Sequence, residues 1–159
     1  MGGVSLFGQL LNRSGKDSTI FISGQVFLPN YPISTCTSPW GTAVADFSGD
    51  QWEDIVVACR GESQIILYIN DQKAEFPRQR KFQTLKSPWR PLAIDLNGDG
   101  AMDVVLCSYS EAQVAWHHND RRGNLPLTGS ISVGKGPHYL FTGDWNGDGR
   151  TDVGVVCYD

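Results

Sequence analysis

The sequence predicts an all-β protein assembled from repeated four-stranded units, and three observations predict it. A short acidic loop occurs three times: DFSGDQWED from Asp46, DLNGDGAMD from Asp95 and DWNGDGRTD from Asp144, with successive starts 49 residues apart. Each loop runs straight into a β-branched apolar run, DIVVAC, DVVLC or DVGVVC. Turn-forming glycines punctuate these runs, 18 in 159 residues, which is the pattern of short strands joined by tight turns.

The elements follow in order within each repeat. SPW at 38–40 returns as SPW at 87–89, and GPH at 136–138 takes the same place, so a first strand A begins there. The acidic loop closes the A–B hairpin, and the β-branched run after it is strand B. Alternation is poor in strand B, as expected of a strand buried on both faces. QIILYIND and QVAWHHND start ten residues beyond Asp54 and Asp103 and supply strand C. Weaker runs, FQTLK and GSISV, follow a polar turn and are assigned to strand D.

Repeats of about 50 residues with four strands each are β-propeller blades. Blade one is expected at 38–86, blade two at 87–133, and strands A and B of blade three at 134–159. The C and D strands completing the third blade are expected at 4–27, in GGVSLFGQ and STIFISGQVFL. Three blades are too few for a ring, since propellers usually have about 4–8. A head-to-tail homodimer closing a six-bladed ring is therefore expected, each C-terminal strand B pairing with a strand C from a partner's N-terminus. The alternative is a piece cut from a longer propeller, natural or engineered, that closes nothing.

Composition narrows the functional classes. Hydrophobic residues make up 40% and charged residues 19%, and the net charge is −4, which disfavours a nucleic-acid partner. The basic clusters RQRK at 78–81 and Arg121 with Arg122 are assigned to solvated loops. No apolar run approaches the roughly 20 residues of a membrane-spanning helix, and the first residues lack the pattern of a signal peptide. Of the four cysteines, Cys59, Cys107 and Cys157 end apolar runs and read as buried small hydrophobes. Cys36 lies in a Pro/Ser/Thr loop and is the one expected to be reactive or paired. No nucleophile–base pairing or phosphate-binding loop is present, and the adjacent His117 and His118 read as one packed and one exposed side chain. The chain is therefore read as not an enzyme.

The acidic loops call for a hard cation. Oxygen donors at positions 1, 3, 5 and 9 with a backbone carbonyl at 7 wrap one ion, and Gly at position 6 permits the turn. In the second repeat these are Asp95, Asn97, Asp99, the carbonyl of Ala101, and Asp103. In the third they are Asp144, Asn146, Asp148, the carbonyl of Arg150, and Asp152. The first loop offers Asp46, Ser48, Asp50, the carbonyl of Trp52, and Asp54, with Gln51 in place of the turn glycine. Six or seven oxygens in flexible geometry suit Ca²⁺ better than Mg²⁺. These are not EF-hands, since position 12 carries Val57, Leu106 or Val155 instead of a bidentate Glu.

DLNGDGAMDVV, DWNGDGRTDVGVV, VGKGPHYLFTGDWNGDG and the ND-x-x-G-N turn at 119–124 resemble the FG-GAP/VCBS repeats, the blades of integrin α-subunit propellers and many secreted proteins. The resemblance covers essentially the whole chain. It implies calcium in the A–B loops on one rim, ligands on the opposite face, and an extracellular setting. The family shares no single activity.

Trp40, Trp89 and His138 each stand six residues before the first Asp of their loop. They should lie on the rim opposite the calcium loops, where repeated aromatics either stack on sugar rings or grip a peptide, or else pack between blades as core. The insertion LPNYPISTCTS at 28–38 should border the same face. A calcium-stabilised recognition module for glycan or protein is the reading adopted. A purely structural, self-assembling unit and an accessory domain of a polysaccharide-acting enzyme are the alternatives.

Overall fold

Each acidic loop reverses the chain between two strands, and the β-branched run after it becomes the second of them. The computed structural model describes residues 35–73 and 76–158. Ten strands and, among the described residues, no helix make up the fold. The first sheet holds β1 (Pro39–Ala45), β2 (Asp54–Cys59), β3 (Gln64–Ile69) and β4 (Arg78–Gln83), hydrogen-bonded in that order. The second repeats it with β5 (Pro88–Ile94), β6 (Asp103–Ser108), β7 (Gln113–His117) and β8 (Leu127–Ser132). A third sheet pairs β9 (Pro137–Gly143) with β10 (Asp152–Cys157). All pairings are antiparallel, so the arrangement is compatible with neighbouring propeller blades.

Strand B is buried because the sheets stack. Every residue of β2 and β6 is buried. Along β6, side chains alternate between two cores, as a strand's period of two requires. Val104 and Leu106 pack with Val56, Ile65, Leu67 and Phe47 of the first repeat. Val105 and Cys107 pack with Leu140 of the third, alongside Ile94 and Val114. Full burial of an aliphatic side chain contributes about 1.5–3 kcal/mol. Close approach of β1 to β5 depends on Gly41, where an added Cβ would lie 3.0 Å from the Arg90 Cα.

The third sheet departs from its siblings. β10 has only β9 beside it among the described residues, and none of its residues is fully buried. Tyr139, Phe141 and Val156 are 47%, 43% and 42% exposed. The expected C and D strands at 4–27 lie outside the described residues, as does most of the insertion at 28–38.

Two expectations are corrected. RQRK at 78–81 lies in β4 and not in a loop; all residues of β4 but Phe82 are exposed or rim-facing, and an outermost strand needs no apolar alternation to form. β4 and β8 thus begin upstream of FQTLK and GSISV. Cys59 is not a free buried hydrophobe: it is joined by a disulfide to Cys36, with Cα atoms 5.7 Å apart. Cys107 and Cys157 are free, and burial, with Cys157 adding to it, pushes the Cys107 thiol up to about 12.

Candidate functional site

The two ends of strand A carry different chemistry, the acidic loop at one and an aromatic cluster at the other. In each loop the first aspartate gathers backbone N–H groups. Asp95 accepts from Gly98 and Asp99 through Oδ1 and from Gly100 through Oδ2, at 2.8, 3.1 and 2.8 Å. Asp144 accepts from Gly147, Asp148 and Gly149, and Asp46 from Gly49, Asp50 and Gln51. The fifth-position Asp50, Asp99 and Asp148 accept the N–H of Trp52, Ala101 and Arg150. That bond, from Ala101, holds the Asp99 carboxyl below the usual carboxylate range. Asn97 and Asn146 donate their amides to Asp99 and Asp148 and accept the N–H of the same residues. Ser48, in the equivalent position, has a buried hydroxyl without a hydrogen-bond partner.

The ninth-position aspartate clamps two connections together. Asp103 is completely buried; its Oδ2 accepts from Leu96 N at 3.1 Å and its Oδ1 from Asn119 N at 2.8 Å. Asp54 does the same with Phe47, Ser48 and Asn70, and burial raises its carboxyl. Asn119 extends the clamp, donating to Met102 O and, across to the first repeat, to Phe47 O. Among the described residues Asp152 accepts only the N–H of Trp145, and it is partly exposed.

These loops fit a hard cation in donor type. A carboxylate has about four lone-pair sites; Asp95 uses three, and Asp99 and Asp103 two each. Oxygen lone pairs therefore remain in one nine-residue loop. As placed, no three or more His, Cys, Asp or Glu side chains converge tightly enough to hold a metal among the described residues.

At the other end, the three predicted aromatics are brought together with partners that the sequence reading missed. A β-bulge interrupts each strand A there, next to Trp40, Trp89 and His138, and bulges re-aim side chains at functional rims. Ser38 and Ser87 hold left-handed φ values of 54° and 49°, where the third repeat has Gly136 at 60°. The same backbone bond recurs in each repeat: Arg60 N to Ser38 O, Tyr109 N to Ser87 O, and Tyr158 N to Gly136 O, at 3.1, 3.4 and 3.2 Å. Arg60, Tyr109 and Tyr158 thus stand beside Trp40, Trp89 and His138. A constant 20-residue separation in the sequence was the signal that would have found them.

The rings form a row. Trp40 and Trp89 lie 4.6 Å apart, Trp89 and Tyr109 5.7 Å, and His138 and Tyr158 4.0 Å and nearly parallel. Arg60 lies over both Trp40 and Trp89 at 5.5 and 5.4 Å, and Arg90 over Tyr139 at 5.3 Å, within cation–π range. Arg60, Trp89, Arg90, Tyr109, His138 and Tyr158 line a cavity of about 450 Å³. Trp40, Arg90 and Tyr139 help line a neighbouring one of about 290 Å³. Trp40 is 46% exposed, while Trp89 is half-buried and packs against the core around Val105 and Leu140. Among the described residues Trp89 Nε1 and His138 Nδ1, both buried, have no hydrogen-bond partner; such a group costs about 1–3 kcal/mol.

Antiparallel four-stranded sheets with an acidic A–B loop in every repeat make a repeat protein compatible with a β-propeller-type module. Residues 46–106 and 95–155 each match the FG-GAP-like repeat, and the chain belongs to that family. Each match runs from one acidic loop through the strand that follows the next. No curated protein sequence matches the chain.

Proposed function

We propose that the chain is a calcium-stabilised recognition module that binds a glycan on the aromatic rim opposite the acidic loops. One observation carries this reading: three repeats present an aromatic and a second ring or guanidinium, joined by the same backbone bond, as a continuous wall of two cavities. Flat apolar faces with a few convergent polar groups suit sugar rings. Calcium in the loops would be held by Asp95, Asn97, Asp99, Ala101 and Asp103 and by their equivalents in the third repeat. Bound there, it neutralises three carboxylates that otherwise repel within one loop. The Cys36–Cys59 disulfide favours an oxidising, extracellular setting.

A glycan array on the folded protein tests the reading, run in millimolar calcium and again in EDTA, beside Trp89→Ala. Binding to one sugar class, weakened by both EDTA and the substitution, is the expected result. A blank array with protein shown to be folded shifts the assignment to protein recognition.

The structural reading, a unit that assembles a ring, has its own support in the third sheet, which has two strands among the described residues, and in its exposed Tyr139, Phe141 and Val156. In the head-to-tail homodimer, an incoming strand from a partner would pair with β10. Native mass spectrometry then reads twice the 17.5 kDa chain mass, and a clean monomer at micromolar concentration removes the six-bladed ring.

A further inference from the structure

The larger rim cavity carries a positive charge that no described residue balances. Two of its lining residues, Arg60 and Arg90, are guanidinium-bearing, and among the described residues no carboxylate lines it. Among the described residues neither arginine has an acidic partner; each rests over aromatic faces instead. This occurs in a chain of net charge −4 whose aspartates are concentrated at the opposite ends of the strands. Two other lining rings, those of Trp89 and His138, each carry a buried nitrogen without a hydrogen-bond partner among the described residues. An arginine is always charged and offers a planar fork of donors matched to carboxylate and sulfate groups.

We infer that this cavity takes an anionic saccharide, a sugar ring bearing a carboxylate or sulfate, with Arg60 and Arg90 reading the charge and the Trp89–Tyr109 and His138–Tyr158 pairs holding the ring. The inference rests on the glycan-binding reading above and adds the ligand's charge to it. A ring is favoured over an acidic peptide because four of the six lining side chains are cyclic and flat. Two stacked pairs, at 5.7 and 4.0 Å, give apolar surface that an acidic peptide would leave unused. The anion follows from the guanidinium pair: an unpaired arginine beside a desolvated ligand repays its lost hydration only if the ligand brings the opposite charge.

The test uses the full chain in calcium, with binding read by isothermal titration calorimetry. The probes are a galacturonate tetramer, its methyl-esterified neutral counterpart, a sulfated galactose oligomer and a glutamate oligopeptide. The acidic or the sulfated sugar should bind at least about tenfold more tightly than the ester, a factor set by charge-assisted hydrogen bonds. Which of the two binds better distinguishes carboxylate from sulfate as the recognised group. Arg60→Gln and Arg90→Gln should each weaken that binding about tenfold and weaken binding of the ester by much less, so that the preference for acid over ester falls, with the protein still folded by circular dichroism. Equal binding of acid and ester, insensitive to both arginine variants, overturns the anion inference while the glycan reading stands. Glutamate peptide binding as tightly as the acidic sugar overturns the saccharide. Absence of binding by every sugar on folded protein overturns both.

Discussion

Asp103 and Asp152 occupy the same position in their repeats, yet the work asked of each differs. Asp103 is wholly buried and satisfies the N–H groups of Leu96 and Asn119, so Asp103→Ala leaves one buried and one partly buried donor without acceptors. The expected loss is about 3 kcal/mol by chemical denaturation. Among the described residues Asp152 serves only Trp145 N, and Asp152→Ala should cost under about 1 kcal/mol; equal losses would remove the clamp interpretation. His117 is a second case in which burial decides. Its Nδ1 lies 2.8 Å from Leu125 O and its Nε2 2.9 Å from Thr84 Oγ1, and desolvation lowers its basicity below the ordinary value of 6.5. The unfolded chain therefore takes up this proton before the folded one does. Stability from neutral His117 is complete above 6.5 and declines as pH falls through the lower folded-state value. A pH series of melts should show that decline, and His117→Gln should flatten the corresponding part of the profile.

At the level of the element, the loop in the first repeat reaches the shape of its siblings without their glycine. Gln51 holds φ at 71°, where Gly100 and Gly149 hold 86° and 81°. A non-glycine residue in that region is strained by about 1–2 kcal/mol, partly offset by glycine's greater freedom when unfolded. Gln51→Gly should therefore stabilise by about 0.5–1 kcal/mol in urea, and a destabilised variant would mean that the Gln51 side chain contributes something else. Strands A, B and C and the A–B loops were legible in the sequence because their signals are local: a β-branched run, an Asx-rich turn, a fixed period. Trp40, Trp89 and His138 were legible as a repeated rim for the same reason. Strand D was misplaced because β4 and β8 are exposed edges, held by pairing with their neighbours and carrying little pattern of their own. Arg60, Tyr109 and Tyr158 were missed because they meet the aromatics across a hairpin, through a backbone bond that no short motif records. The Cys36–Cys59 pair escaped for a like reason: their approach depends on the turn at Ser38, whose left-handed φ the sequence does not announce.

For the whole molecule, the question is how calcium and assembly depend on one another. Every A–B loop sits at one end of the strands, and the three loops differ in cover: those of the first two repeats are partly shielded, while residues 144–150 are all exposed. Arg121 reaches the backbone of the second loop through Asp99 O, so the turn between β7 and β8 braces the acidic loop of its own repeat without supplying an oxygen ligand. Carboxylates gathered in each loop repel one another when no cation is bound, and an ion that binds only the folded loop stabilises it by mass action. At a hundred times the dissociation constant this gives about 2.7 kcal/mol per site. Millimolar calcium should therefore raise the melting temperature and EDTA lower it, with Asp99→Asn and Asp148→Asn each removing part of the calcium response. Val156 separates this effect from assembly. Its counterparts Ala58 and Cys107 are wholly buried while Val156 is 42% exposed, so Val156→Lys should oppose association through the third sheet and leave the loops untouched. If the variant loses the doubled native mass but keeps its calcium-dependent melting shift, the loops stabilise each chain by themselves. Loss of both together means that the ion acts through the closed ring, and an identical melt in calcium and EDTA for the unaltered protein would remove calcium from its stability altogether.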